Sequence, residues 1–375
     1  MDLAGRIREK ALEIGFDRIG FASTEPFDLL ARELEGRDEM YNWVSENLLC
    51  LKNSIDPLKV MPSGKTIIVL LWDYYKQAFP EKFNQKVGKA YQVGPYSRQS
   101  KPVAMIKMFR RFLKEEGLEV TMGTNLPDRQ AASRAGLGSF GRNTFIYEPD
   151  IGSYVAIIQM VVDCDLGGIS EEVSCHCPDN CRICIESCPT GALYEPFHMN
   201  PLKCIAFHTY GTGNFPGVPG EIPSLAREEM GSWIYGCDVC QDVCPRNKAK
   251  QKKELPNNPA LEKIASLMTL PKLLTMDDNF FEKTVQPLLF GYIWDKKFLQ
   301  RNSAIALGNM GDLSALPYLS EALRNSEPMV RAHAAWALGR MGDSSAVPLL
   351  HNLAKDEQSP SAFAEMRRAI EKLRY

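Results

Sequence analysis

Ten of the eleven cysteines fall from Cys164 to Cys244, with only Cys50 upstream and none downstream. A chain that gathers its thiols this way must fold around whatever they hold. A disulfide framework would go with a secretory signal and usually an even cysteine count. The N-terminus, Met1-Asp2-Leu3-Ala4-Gly5-Arg6-Ile7-Arg8, instead runs straight into an amphipathic pattern without an apolar signal core. In a reducing compartment, clustered thiols point to metal.

The stretch Cys177-Pro178-Asp179-Asn180-Cys181-Arg182-Ile183-Cys184-Ile185-Glu186-Ser187-Cys188-Pro189 follows the bacterial ferredoxin run C-x2-C-x2-C-x3-C-P, whose fourth cysteine ligates the other cluster of a pair. Pro178 occupies the place of the first cysteine, so Cys177 is the nearest replacement and Cys175 the alternative. A second run, Cys237-Asp238-Val239-Cys240-Gln241-Asp242-Val243-Cys244-Pro245, has Ile234 where its own first cysteine would stand. Cys204 is the only cysteine between the runs and supplies the missing thiolate. Crossing the ligands gives one [4Fe–4S] cluster on Cys177, Cys181, Cys184 and Cys244. The other falls on Cys188, Cys204, Cys237 and Cys240, leaving Cys50, Cys164 and Cys175 over. Two four-cysteine zinc sites would also use C-x2-C pairs; the C-x3-C-P endings, with Pro189 and Pro245, favour iron–sulfur. Paired clusters form an electron wire, and a wire needs a terminus where something is reduced.

Around this insert the chain divides into three. Residues 1–165 read as α/β: helical spacing over 7–14, apolar runs at 19–22, 66–71, 144–147 and 155–162, and an amphipathic helix over 103–117 with a glycine stop. Residues 166–255 form the ferredoxin-like cluster domain, ending in a polar, lysine-rich stretch at 248–258 that reads as a linker. Residues 256–375 are helical and repetitive. Asn302-Ser303-Ala304-Ile305-Ala306-Leu307-Gly308-Asn309-Met310-Gly311-Asp312 recurs 31 residues later as His333-Ala334-Ala335-Trp336-Ala337-Leu338-Gly339-Arg340-Met341-Gly342-Asp343. That periodicity is the signature of a HEAT-like solenoid. Lys296, Lys297, Arg301, Arg331 and Arg340 could line a phosphate-facing ridge on it, a solvated face being the plainer reading.

A net charge of −2 excludes a globally basic nucleic-acid binder but leaves room for a local basic face. The sequence has no apolar stretch long enough to span a bilayer, so the expectation is a cytoplasmic monomer.

Several segments together resemble the epoxyqueuosine reductase family over nearly the whole chain. They are Lys10-Ala11-Leu12-Glu13-Ile14-Gly15-Phe16-Asp17-Arg18-Ile19-Gly20-Phe21-Ala22, Ala135-Gly136-Leu137-Gly138-Ser139-Phe140-Gly141-Arg142-Asn143-Thr144, the two cysteine runs, and Arg301-Asn302-Ser303-Ala304-Ile305-Ala306-Leu307-Gly308-Asn309. The resemblance implies a nitroreductase-like, reductive-dehalogenase-like α/β core and base-off cobalamin with no protein histidine on cobalt. It also implies an external low-potential electron donor, and HEAT-like repeats that engage the anticodon region of tRNA. The implied reaction removes the epoxide oxygen of epoxyqueuosine. Gly136, Gly138 and Gly141 would let the backbone approach the corrinoid, a tight turn being the alternative.

Two departures from the family pattern stand out. The family's Val-Asp-Thr-Gly-like segment corresponds to Thr121-Met122-Gly123-Thr124, which puts Met122 at the position of the proton-donating aspartate. The Asp-Tyr-His after the active-site tyrosine is replaced by Lys101-Pro102-Val103, while Tyr96 and Arg129 match. The resemblance therefore leaves Tyr96, Asp128 and Arg129 as candidate catalytic residues, with Tyr96 or Asp128 as the acid. Otherwise the substrate differs, a small organic molecule or a partner's corrinoid.

Overall fold

The computed structural model describes residues 2–41, 55–93, 100–123, 125–167, 176–215, 218, 220–289 and 291–374. Six strands appear before the cysteine-rich segment: β1 Arg18–Ser23, β2 Thr66–Asp73, β3 Val120–Met122, β4 Ser139–Phe140, β5 Ile146–Tyr147 and β6 Val155–Val162. Four of them make an antiparallel sheet in the order β1–β2–β6–β3, with Thr66 opposite Val162 and Asp73 opposite Val155. β4 and β5 form a separate hairpin. The run at 144–147 yields only two strand residues, since Thr144 adopts a left-handed φ of 68°.

Side chains alternate across a strand, and both faces of this sheet are covered. Ile68, Leu70, Met160 and Val162 pack with Phe109 and Leu113 of α2 (Lys101–Glu115) and Ile7 of α1 (Leu3–Ile14). Met105, Phe109 and Leu113, spaced by four, make the buried stripe of α2, and the Ser100 hydroxyl accepts the Val103 N–H at its start. Ile67, Val69, Leu71 and Val161 face the other way, against Ala131 and Ala132 of α3 (Asp128–Arg134). Gln159 of β6 shares that side, which aims a lone polar residue at the start of α3.

The cysteine-rich segment consists of short pieces, among them α4 (Ile205–Tyr210), and is sewn to the sheet domain. Val87 pairs with Tyr235 as a parallel bridge, and Lys89 Nζ lies 2.7 Å from Asp242 Oδ1. The stretch expected to be a free linker is a fastening instead. Lys248–Gln251 is helical, and buried Lys250 donates to Asp73 Oδ1 at 2.5 Å and to the Ile151 carbonyl at 2.7 Å.

The C-terminal solenoid comprises α5 (Lys296–Met310), α6 (Leu316–Ala322), α7 (Pro328–Met341), α8 (Val347–Ala354) and α9 (Pro360–Arg374). Gly308 and Gly339 set the spacing of its layers. A Cβ on Gly308 would stand 2.8 Å from Ala337 Cα, and one on Gly339 would stand 2.9 Å from Ala369 Cα. Of the five basic residues weighed as a phosphate-facing ridge, one is turned inward and four are ion-paired. Arg301 is fully buried, Lys296 pairs with Asp278, Lys297 with Asp295, Arg331 with Glu357 and Arg340 with Glu228.

Arg301 and its neighbour do something different. The Arg301 guanidinium donates to the carbonyls of Thr212 and His208, both at 2.7 Å, and Asn302 Nδ2 donates to those of Thr209 and Ile234. α5 thus clamps the C-terminal end of α4, which starts just after Cys204, to the strand of chain that leads to Cys237. Among the described residues no helix is long and apolar enough to cross a membrane.

Candidate functional site

Of the eight cysteines singled out by spacing, Cys181, Cys184, Cys188, Cys204, Cys237, Cys240 and Cys244 are free thiols. The structure gathers them in two groups. Burial, followed by the charges of Cys244, Cys181 and Cys177, pushes the Cys184 thiol up to about 11. Burial, followed by Cys237, Cys204 and then Cys188, raises Cys240 well above a free thiol, and Cys204 is raised by burial with Cys188 among its neighbours. Buried thiols that oppose one another's ionisation need a cationic centre to exist as thiolates, which suits an iron–sulfur donor set. Among the described residues no three His, Cys, Asp or Glu side chains converge on a single-ion site. A cubane does not ask for one, because each of its thiolates takes a separate iron. Cys164 ends the sheet domain, its Sγ near the Asp165 carbonyl; Cys50 and Cys175 lie outside the described residues.

A cavity of about 1130 Å³ opens beside one of the two groups. Cys188, Cys204, Cys237 and Cys240 line it, and so do Asp128 and Arg129. Cys177, Cys181, Cys184 and Cys244 lie off its wall, so one thiol group is proximal to the cavity and the other distal. His198 also lines the cavity; its Nδ1 is 2.7 Å from the Pro196 carbonyl and must be the donor there.

Asp128 is exposed and lines this cavity, with protein close around its carboxyl. Its Oδ1 accepts a 2.5 Å hydrogen bond from Gln159 Nε2. Burial raises its pKa to about 6, outweighing the Gln159 bond and the charge of Arg129, both of which favour the carboxylate. Arg129 Nη1 donates to Thr144 Oγ1 at 3.2 Å, and its guanidinium covers the Phe145 ring at 4.7 Å. The left-handed turn at Thr144 is what brings both partners to Arg129.

The other candidates fall elsewhere. Tyr96 lies outside the described residues. Met122 packs half-buried against the apolar face shared with α2, away from the cavity. Gly136, Gly138 and Gly141 are not on the cavity wall. Gly136 closes α3 with a φ of 70°, where a side chain would be strained. Cβ atoms on Gly138 and Gly141 would meet Tyr147, at 2.7 Å from its carbonyl and 2.4 Å from its ring. Gln159 went unremarked in the sequence, although a single polar residue inside Val155–Val162 was the available signal.

Comparison with known proteins agrees with this layout. Residues 176–247 match the family described as 4Fe-4S double cluster binding domain, and residues 295–371 match HEAT repeats. The epoxyqueuosine reductase of Bacillus subtilis (strain 168) is 30% identical, the alignment covering 98% of this chain and 95% of that protein. That of Bacillus cereus is 30% identical over 96% of this chain and 94% of the relative. A crystal structure of epoxyqueuosine reductase with an epoxyqueuosine-modified tRNA-Tyr stem loop superposes with a TM-score of 0.85 at 28% identity, over 100% of this chain and 99% of that one. The Streptococcus thermophilus enzyme gives 0.81 at 26% identity, covering 100% of both chains. With its paired cysteine runs and its helical repeats matched and its length aligned from end to end, this chain is an oxidoreductase that belongs to the epoxyqueuosine reductase family.

Proposed function

We propose that the protein reduces epoxyqueuosine to queuosine in tRNA. The observation that carries this reading is the cavity, lined by both cluster-type thiols and a protonatable carboxyl. Electrons from an external low-potential donor would enter at Cys177, Cys181, Cys184 and Cys244 and leave toward the cavity from Cys188, Cys204, Cys237 and Cys240. The cavity is larger than the ~300–1,000 Å³ usual for small-molecule sites, which suits a corrinoid plus part of a nucleoside. A base-off cobalamin held there would supply the low-valent metal for the reduction.

The protein's own residues have separate tasks. Asp128, with a pKa near 6, holds the proton that the departing epoxide oxygen must receive, and Gln159 fixes the carboxyl's direction. Arg129, anchored by Thr144 and Phe145, supplies a fixed positive charge for the developing alkoxide. His198, an imidazole on the cavity wall, would be expected to stay off the metal, and nitrogen splitting in the Co(II) paramagnetic resonance spectrum of the loaded protein would contradict that.

The test is reconstitution with iron, sulfide and cobalamin, then an assay on tRNA containing epoxyqueuosine. Queuosine should accumulate under a low-potential reductant. A fully loaded protein that leaves this tRNA unchanged would make a small organic molecule the leading substrate, the alternative that Met122 in the acid's place keeps open.

A further inference from the structure

We infer that Lys89 holds a fixed positive charge beside the cluster that Cys188, Cys204, Cys237 and Cys240 would share, and thereby raises that cluster's reduction potential. The inference rests on the ligand sets proposed above. It gives a task to a cation of the sheet domain that does not itself line the cavity.

Residues 87–89 are strapped to the chain that leads into the proximal ligands. Val87 bridges Tyr235, the Gly88 N–H donates to the Tyr235 carbonyl at 2.8 Å, and the Lys89 N–H donates to Asp238 Oδ2 at 2.7 Å. The side chain then meets the short helix Val239–Asp242. Its Nζ lies 3.4 Å from Asp238 Oδ2, and 2.7 and 2.9 Å from the two Asp242 oxygens. Those aspartates stand two residues before and two residues after Cys240, so the ammonium is fastened within one helical turn of a proximal ligand. Tyr154 holds the arrangement: its ring lies 5.7 Å from Nζ and its hydroxyl donates to Asp242 Oδ1 at 2.6 Å.

The Lys89 side chain is 17% exposed and that of Asp238 6%, so salt and water screen the pair little. Burial disfavours the ammonium, but the charges of Asp238 and Asp242 outweigh it and hold Lys89 above the ordinary lysine range. After burial and neighbouring thiols, the charge of Asp238 is a further cause of the raised pKa values of Cys237 and Cys240. Lys89 is the cation that balances it.

A cubane on four thiolates gains one negative charge when it is reduced, so a nearby cation favours the reduced state. At an effective dielectric of ~20, a unit charge ~10 Å away changes a one-electron equilibrium by about tenfold. Lys89 therefore makes the proximal cluster the better acceptor, and electrons entering at the distal cluster run toward the cavity.

The test is a redox titration of cluster-reconstituted protein followed by paramagnetic resonance, the Cys204→Ala protein identifying the distal signal. Lys89→Met should make proximal reduction about tenfold less favourable, ~59 mV for one electron, and move the distal potential by less. Lys89→Arg keeps the charge and should stay near the native value. The sign separates charge from loosening: water stabilises the added negative charge, so a cluster that had merely become wetter would be easier to reduce. Because Lys89→Met leaves Asp238 buried without its cation, the same change is also made in Asp238→Asn protein, where the buried carboxylate is gone. There too it should lower the proximal potential. A proximal potential that does not fall in that background, loss of the proximal cluster there, an equal distal shift, or an arginine variant that falls as far as the methionine one would overturn the role of Lys89 alone. Native protein that cannot hold two clusters would overturn the ligand sets with it. Turnover of tRNA is not read in this titration, so the proposed substrate stands or falls separately.

Discussion

Asp128 holds its proton to about pH 6 because the wall of the cavity disfavours its charge more than Gln159 and Arg129 favour it. A carboxyl whose pKa is higher in the fold than in the unfolded chain, ~3.9, binds its proton more tightly when folded. Its contribution to stability is complete below ~4 and is lost as pH rises through about 6. Asp128→Asn should therefore cut turnover by ~10²–10⁴-fold and yet raise Tm relative to the native protein at pH 8 more than at pH 4. A Tm difference independent of pH would show that the carboxyl is not held protonated. Met122→Asp should fail as a rescue: the side chain lies against the apolar face of α2, so the variant loses ~1–3 kcal/mol by chemical denaturation without gaining activity. Asp128 and Arg129 were visible in the sequence as residues. Their partners Gln159 and Thr144 were not, because a strand's alternation and one left-handed turn decide where those side chains point.

At the scale of elements, α4 carries more than its length suggests. It begins one residue after Cys204 and ends under the Arg301 guanidinium. Cys204→Ala should leave about four of eight irons per chain, counted by iron and sulfide analysis, since each cubane holds four. Arg301→Leu should strike the same cluster indirectly. It strips the donor from the buried carbonyls of His208 and Thr212 at ~1–3 kcal/mol apiece, and the proximal signal should weaken while the distal one persists. If tRNA affinity falls with both clusters intact, Arg301 acts on nucleic acid after all. His208 adds a pH signature. Burial, and then the charge of Arg301, lowers its pKa to about 4, so the stability that depends on its neutral form is present above ~6.5 and lost as pH falls toward 4. Melting curves across that interval should show the loss, and His208→Gln should flatten it. The helices and strands themselves were legible, since Met105, Phe109 and Leu113 mark α2 and the 31-residue echo marks the solenoid. Arg301 was misread because a basic residue on a regular helix gives no sign of which face the neighbouring domain covers.

For the molecule as a whole, contacts between segments remote in sequence outweigh the apparent division into three. Lys250 reaches Asp73, Asn143 reaches the Cys240 carbonyl, and Arg227 of the cysteine-rich segment forms a buried pair with Glu365 of α9 at 2.9 Å. Removing one partner of such a pair costs ~3–5 kcal/mol. Truncation before Asp295 should therefore yield protein poor in the proximal cluster, measured by iron content, instead of an active core lacking only tRNA affinity. The order of these parts was readable from cysteine spacing and repeat period; their interlocking was not, because no local pattern records which distant carbonyl a buried guanidinium will meet. The clamp of Arg301 and Asn302 also places a clock on biosynthesis. At ~5–20 residues per second, roughly 3–11 s pass between the synthesis of Cys244 and that of Arg301. All eight thiols have by then been made, while the bracket around Cys204 and Cys237 is still open. Nascent chains stalled short of Arg301 should accept iron and sulfide at the proximal site faster than the finished protein does, and release them faster too.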